Sequence, residues 1–274
     1  MDRITILPVS GGSGRVLGVR STGTGPPVLL VNGYSGTSND WDPTFLAALH
    51  SSCTVIAPDH QGMGSSTPGE LSTVTIDSMA DDLVVVLDCL DLGPIPVVGW
   101  SMGGMVAQSL AVRHPARVSA VALLGTDAGG PDAIVANPGV WERLIDHSGS
   151  PRQQASRMLS LLFPAEVAAE IDRQFGDVVA GARAALSTDT LMAQERAINV
   201  WHAMEPHLPS TPVPPVLVAT GAEDIVIPPA NADLLAARWD ATIVERFNGC
   251  GHAFMAQEPE RLGGLITKFL GSSL

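Results

Sequence analysis

Ser101 stands in the stretch Gly99-Trp100-Ser101-Met102-Gly103, with Gly104 directly after it. An apolar run, IPVVGW, leads into this stretch, and an apolar helical pattern, MGGMVAQSLAVRHP, leads out. A serine on a tight strand-to-helix turn needs small neighbours, because its backbone is strained and packs closely on adjacent elements. Such a turn lifts the hydroxyl clear of a sheet and sets the next backbone N–H at a helix start, where anionic oxygen is favoured. A serine hydroxyl is a poor nucleophile at neutral pH and needs a base to take its proton. Among seven histidines, His252 in NGCGHAF follows a late apolar run, ATIVERF, and precedes the last helical pattern. His60 also follows an apolar run but reads as a loop residue. His50 and His114 close helices, and His147, His202 and His207 fall in a helical stretch away from these runs.

A buried carboxylate would orient the histidine and stabilise its protonated form. Glu223 and Asp224 follow the run VLVAT. Asp224, nearer the next helix, is the better placed, and Asp127 is a competitor after an earlier run. The stretch NGYSG, residues 32–36, ends another apolar run. Attack on an acyl carbon needs donors aimed at the developing oxyanion, and the backbone N–H groups of Tyr34 and Met102 are the expected pair.

All four signals lie at or just beyond the ends of apolar runs. Continuous runs such as PPVLLVNGY, CTVIAPDHQ, IPVVGW, VSAVALLG and VLVATG suit strands buried on both faces, as in parallel sheets. Between them lie helical patterns. In TIDSMADDLVVVLDCLDLG, Ile76, Met79, Ala80, Leu83, Val84, Leu87 and Leu90 share one face, Thr75 is the expected N-cap, and Gly93-Pro94 stop the helix. At the start, RITILPV and RVLGVRS, split by a glycine cluster, read as a hairpin. The expected class is α/β, a mainly parallel central sheet flanked by helices.

After Gly125 the alternation breaks. Residues 127–212 carry helical patterns without a convincing strand and close on the proline-rich PHLPSTPVPP. The expectation is a helical cap over 127–212, inserted before the last two strands of a core made from 1–126 and 213–274. Such a cap would lie over the carboxyl ends of the strands, where parallel sheets bind ligands. Trp100 and the cap residues Trp141, Met158, Leu161, Leu162, Phe163, Met192 and Trp201 are candidates to line an apolar substrate pocket.

Composition narrows the classes. The 274 residues are 45% hydrophobic and 16% charged, which suits a compact fold and excludes disorder. A net charge of -13 disfavours nucleic acid and anionic membrane surfaces as partners, and favours a small neutral or apolar substrate. Cys53, Cys89 and Cys250 lack metal-ligand spacing, so free thiols and no metal are expected. The opening MDRITILPVSGGSG is too poor in apolar residues for a signal peptide, and no run approaches the roughly 20 residues of a spanning helix. A soluble cytoplasmic protein is expected.

With these residues assembled, the chain resembles the α/β-hydrolase superfamily over nearly its whole length. GWSMGG resembles the nucleophile elbow, GAEDIVIP the acid loop, GCGHAF the histidine loop, and DHQGMGSS the Asp-x-x-Gly-x-Gly-x-Ser turn. The order Ser101, Asp224, His252 is that of the family. The resemblance implies a serine hydrolase acting on a carboxylic ester or lactone of a small, largely apolar substrate through an acyl-enzyme, with no cofactor. A C–C bond hydrolase of the meta-cleavage product type, or a cofactor-free perhydrolase, would use the same residues. A non-catalytic ligand receptor is the remaining alternative. Serine at 101 separates the chain from dehalogenases and epoxide hydrolases, which carry aspartate there, and Trp100 departs from the asparagine common in C–C hydrolases. Asn32-Gly33 replaces the usual His-Gly of the oxyanion loop, which removes a supporting imidazole but keeps the backbone donors.

Overall fold

A computed structural model describes residues 2–9, 15–205, 208 and 213–273. The glycine cluster at 10–14, His207 and most of the proline-rich joint lie outside the described residues. Among those described, eight strands form one sheet: β1 (Arg3–Pro8), β2 (Val16–Gly23), β3 (Pro27–Val31), β4 (Thr54–Pro58), β5 (Ile95–Trp100), β6 (Val118–Leu124), β7 (Val216–Gly221) and β8 (Ile243–Phe247). The spatial order is β1-β2-β4-β3-β5-β6-β7-β8. β1 pairs antiparallel with β2, and β2 with β4; every later pairing is parallel. The mainly parallel α/β architecture expected from the alternating runs is present.

The strands are apolar throughout because both faces are covered. Leu29 and Val31 of β3, Val97 of β5, Val121 and Leu123 of β6, and Val218 of β7 point into one core. There they meet α2 (Ile76–Cys89), α3 (Met102–Arg113) and α8 (Asn231–Trp239). Their strand neighbours Val28, Leu30, Val98, Ala122, Leu124 and Leu217 point the other way, onto α1 (Pro43–His50) and α10 (Pro259–Ser273). This period-2 division follows from the pleat. Each fully buried leucine contributes about 1.5–3 kcal/mol.

Thr75 caps α2 by accepting the Ser78 N–H at 3.0 Å, while Ser78 Oγ takes the Thr75 N–H at 2.9 Å. The helix ends at Cys89, just before the Gly93-Pro94 stop. Between β6 and β7 the described chain makes α4 (Pro138–Leu144), α5 (Pro151–Leu162), α6 (Ala165–Ala184) and α7 (Thr188–Ala203), with no strand among its described residues. Short α9 (Phe254–Gln257) follows β8.

Candidate active site

Ser101 occupies the corner between β5 and α3 with φ 57° and ψ −124°, a left-handed conformation that is costly for a residue with a side chain. The corner is held because Ser101 N–H donates to Leu124 O of β6 at 2.9 Å. Its glycines are there for space. A Cβ on Gly99 would strike the Gly103 carbonyl, one on Gly103 the Val31 carbonyl, and one on Gly104 the Thr126 side chain. Close packing of β5, α3 and β3 therefore lets the turn form and leaves Oγ on the strand-end side of the sheet.

His252 Nε2 lies 2.9 Å from Ser101 Oγ, and His252 Nδ1 lies 2.6 Å from Asp224 Oδ2. His252 and Asp224 are buried, whereas Glu223 is exposed. The other Asp224 oxygen, Oδ1, accepts the backbone N–H groups of Val226 and Ile227 at 2.8 and 2.9 Å. The loop after β7 thus fixes the carboxylate before the carboxylate fixes the ring. Trp100 adds a second hold: its Nε1–H donates to the His252 carbonyl at 3.1 Å, and its ring sits 5.2 Å from the imidazole. The residue singled out as a possible pocket wall thus also braces the histidine.

The loop 32–36 lies against this corner, since a Cβ on Gly33 would come within 2.9 Å of Ser101 Cβ. Asn32, standing where the family has histidine, donates from Nδ2 to Thr37 O at 2.6 Å, and Gly36 N–H closes onto Gly33 O at 3.2 Å. A buried imidazole does support the loop, but it comes from His60, whose Nε2–H donates to Asn32 O at 2.9 Å. The loop residue expected from sequence is therefore an internal strut. Burial holds His60 below the ordinary histidine range, so it stays neutral and able to donate one N–H while accepting at the other nitrogen.

The helical segment reaches into the same loops. Tyr34 Oη donates to Glu195 Oε1 at 2.6 Å, and Ser35 N–H donates to Gln194 Oε1 at 2.9 Å. Burial and this carboxylate push the Tyr34 phenol well above its ordinary value, so it remains a donor. From α5, Leu162 O accepts Ala253 N–H, next to His252, at 3.0 Å. Asp127, the competing acid, serves elsewhere: its carboxylate accepts Trp201 Nε1–H at 3.2 Å and Gly129 N–H at 2.9 Å, and meets His202 Nε2 at 3.0 Å. It ties α7 to the end of β6.

Two cavities meet at Ser101. The larger, about 510 Å³, is walled by Trp100, Met158, Leu162 and Phe163 among others. The smaller, about 360 Å³, includes Met102 and Trp141. Tyr34, Ser101, Leu144 and Val226 border both. Three pocket expectations need correcting. Trp201 lines neither cavity: it is buried, with its Nε1–H turned onto Asp127. Leu161 is likewise buried in the core, and Met192 is exposed on the surface.

Residues 26–148 match the family described as alpha/beta hydrolase fold. Over 269 residues the chain is 30% identical to the 2-hydroxymuconate semialdehyde hydrolase of Pseudomonas sp. (strain CF600), covering 93% of this chain and 90% of that protein. It is 26% identical to a thermophilic esterase from Thermogutta terrifontis, with a TM-score of 0.75 over 99% of each chain. A meta-cleavage product hydrolase from Pseudomonas fluorescens IP01 shares the fold at a TM-score of 0.80, 20% identity and 98% of each chain. The chain belongs to the α/β-hydrolase family and is an enzyme.

Proposed function

We propose that the chain is a serine hydrolase of small carboxylic esters or lactones, working through an acyl-enzyme on Ser101. The observation that carries this reading is the continuous line Asp224–His252–Ser101, at 2.6 and 2.9 Å, opening where two cavities meet. Neutral His252 donates Nδ1–H to Asp224 and accepts the Ser101 hydroxyl proton at Nε2 as Oγ attacks the carbonyl. Asp224 stabilises the imidazolium so formed. The Tyr34 and Met102 backbone N–H groups face the oxyanion. Nε2–H then passes its proton to the leaving alcohol, and a water activated by the same nitrogen releases the acid. Apart from substrate and water, every group in this cycle belongs to the chain, and the proposal calls for no cofactor.

Residues 127–212 act as the cap, and its α5 and α7 contacts to the histidine and oxyanion loops support that role. The two cavities divide the ester, one for the acyl group and one for the alcohol. The acidic surface fits a cytoplasmic enzyme with a small-molecule substrate rather than nucleic acid or an anionic membrane.

Identity to a hydrolase named for 2-hydroxymuconate semialdehyde favours one second reading, C–C bond hydrolysis with the same nucleophile. Assays side by side on p-nitrophenyl esters, lactones, a ring-cleavage dienoate and peracid formation separate the readings. Ester or lactone turnover should dominate and fall roughly a millionfold in Ser101→Ala. Faster turnover of the dienoate would move the assignment to C–C hydrolysis.

A further inference from the structure

Arg183 lies in the last turn of α6, is only 9% exposed, and lines the larger cavity together with Ser101. Its Nε and Nη1 atoms are buried without a hydrogen-bond partner among the described residues. Each of the acidic groups near it has one oxygen engaged elsewhere. Glu195 Oε1 receives Tyr34 Oη at 2.6 Å and meets His147 Nε2 at 2.8 Å. Asp40 Oδ2 receives the Thr37 N–H at 2.6 Å and the Thr37 hydroxyl at 2.8 Å. Arg157 adds a like charge nearby, and burial presses the Arg183 guanidinium below its ordinary value.

A guanidinium does not give up its proton in a protein, so it cannot escape this cost by becoming neutral. A buried charge without an acceptor is among the most expensive features a fold can carry. The last turn of a helix favours a cation, but a surface arginine would gain that without losing its water. An anion entering the cavity would supply the acceptor that Nε and Nη1 lack. The planar fork of N–H donors matches a carboxylate in two-point contact. The cavity that holds Arg183 and Ser101 is also lined by apolar Met158, Leu162, Phe163 and Leu186, and by Asp40 and Asp42.

We infer that the larger cavity binds a substrate bearing a free carboxylate, gripped by Arg183 and separated by a hydrocarbon spacer from the carbonyl that Ser101 attacks. This rests on the proposed hydrolase function and refines its substrate class, from a wholly apolar ester to one with a single anionic end.

The test compares p-nitrophenyl monoesters of succinic, glutaric and adipic acid with p-nitrophenyl alkanoates of matched length. A second series, acetyl esters of ω-hydroxy acids against acetyl esters of plain alcohols, places the carboxylate on the alcohol side. In one series the wild type should prefer the anionic member. Arg183→Met should reduce the anionic-to-neutral ratio of kcat/KM by about 10–100-fold, mostly through KM, and Arg183→Lys should restore part of it. An unchanged ratio in both series would overturn the inference. Removing an unpaired buried charge should leave Tm equal or raised; a fall of several degrees would mark Arg183 as a structural residue instead.

Calorimetric titration of hexanoate into Ser101→Ala, with and without Arg183→Met, reads binding without turnover. Binding lost with Arg183 supports the anion site even where no ester is hydrolysed, and then only the hydrolase reading fails. Equal binding in the two variants, or none in either, removes the anion site while ester hydrolysis stands.

Discussion

Asp224 spends its two oxygens differently, Oδ2 on His252 and Oδ1 on the Val226 and Ile227 backbone. Asp224→Asn keeps an oxygen for the loop but presents N–H to Nδ1, forcing the wrong imidazole tautomer. Turnover should fall about ten-thousandfold while Tm stays close to wild type. Asp224→Ala loses both tasks and should lower Tm as well as activity, which thermal unfolding of the pair will show. At this scale the meeting of Ser101, His252 and Asp224 was legible because each ends an apolar run and their order along the chain is informative. Roles set by distant partners were not legible. Nothing near His60 announces that its ring reaches Asn32, 28 residues earlier, and nothing near Glu195 announces Tyr34, 161 residues away. Trp201 misled for a related reason: an aromatic on a helix between β6 and β7 suits a pocket or a core equally, and only the packing of α7 decides.

Among the elements, the β5–α3 turn depends on closeness that one methyl group would break. Gly103→Ala should cost about 1–3 kcal/mol, because the new Cβ meets the rigid Val31 carbonyl rather than a side chain that can move. A urea titration measures it. The loop 32–36 adds a pH dependence. Folded His60 binds a proton less readily than the unfolded chain, whose histidine titrates near 6.5. Its contribution is therefore intact above that value and is lost as pH falls through it. The urea midpoint should drop between about pH 7.5 and about pH 5.5, and drop less in His60→Gln, which does not titrate. The strands, α2 and its Thr75 cap were readable from period and caps, which are local signals. The hold of α5 and α7 on the loops at Ala253 and Ser35 was not, because it appears only after the helical segment folds over the strand ends.

For the molecule as a whole, the proposed function rests on a sheet that would carry the chemistry and a helical segment that would shape the space above it. If the two cavities separate the halves of the ester, a change of bulk in each should act on a different half. Met158→Trp in the larger cavity and Trp141→Ala in the smaller should change chain-length preference on opposite sides of the scissile bond, in a panel varied in acyl and alcohol independently. Shifts on the same side would contradict that division. The central claim is that Ser101 carries the acyl group. Rapid-quench mass spectrometry of the protein mixed with p-nitrophenyl acetate tests it most directly. The account predicts a single acetyl group on the peptide containing Ser101, formed during the p-nitrophenol burst and absent from Ser101→Ala. Full ester turnover by Ser101→Ala, or acetyl accumulating on another residue during turnover, would contradict it.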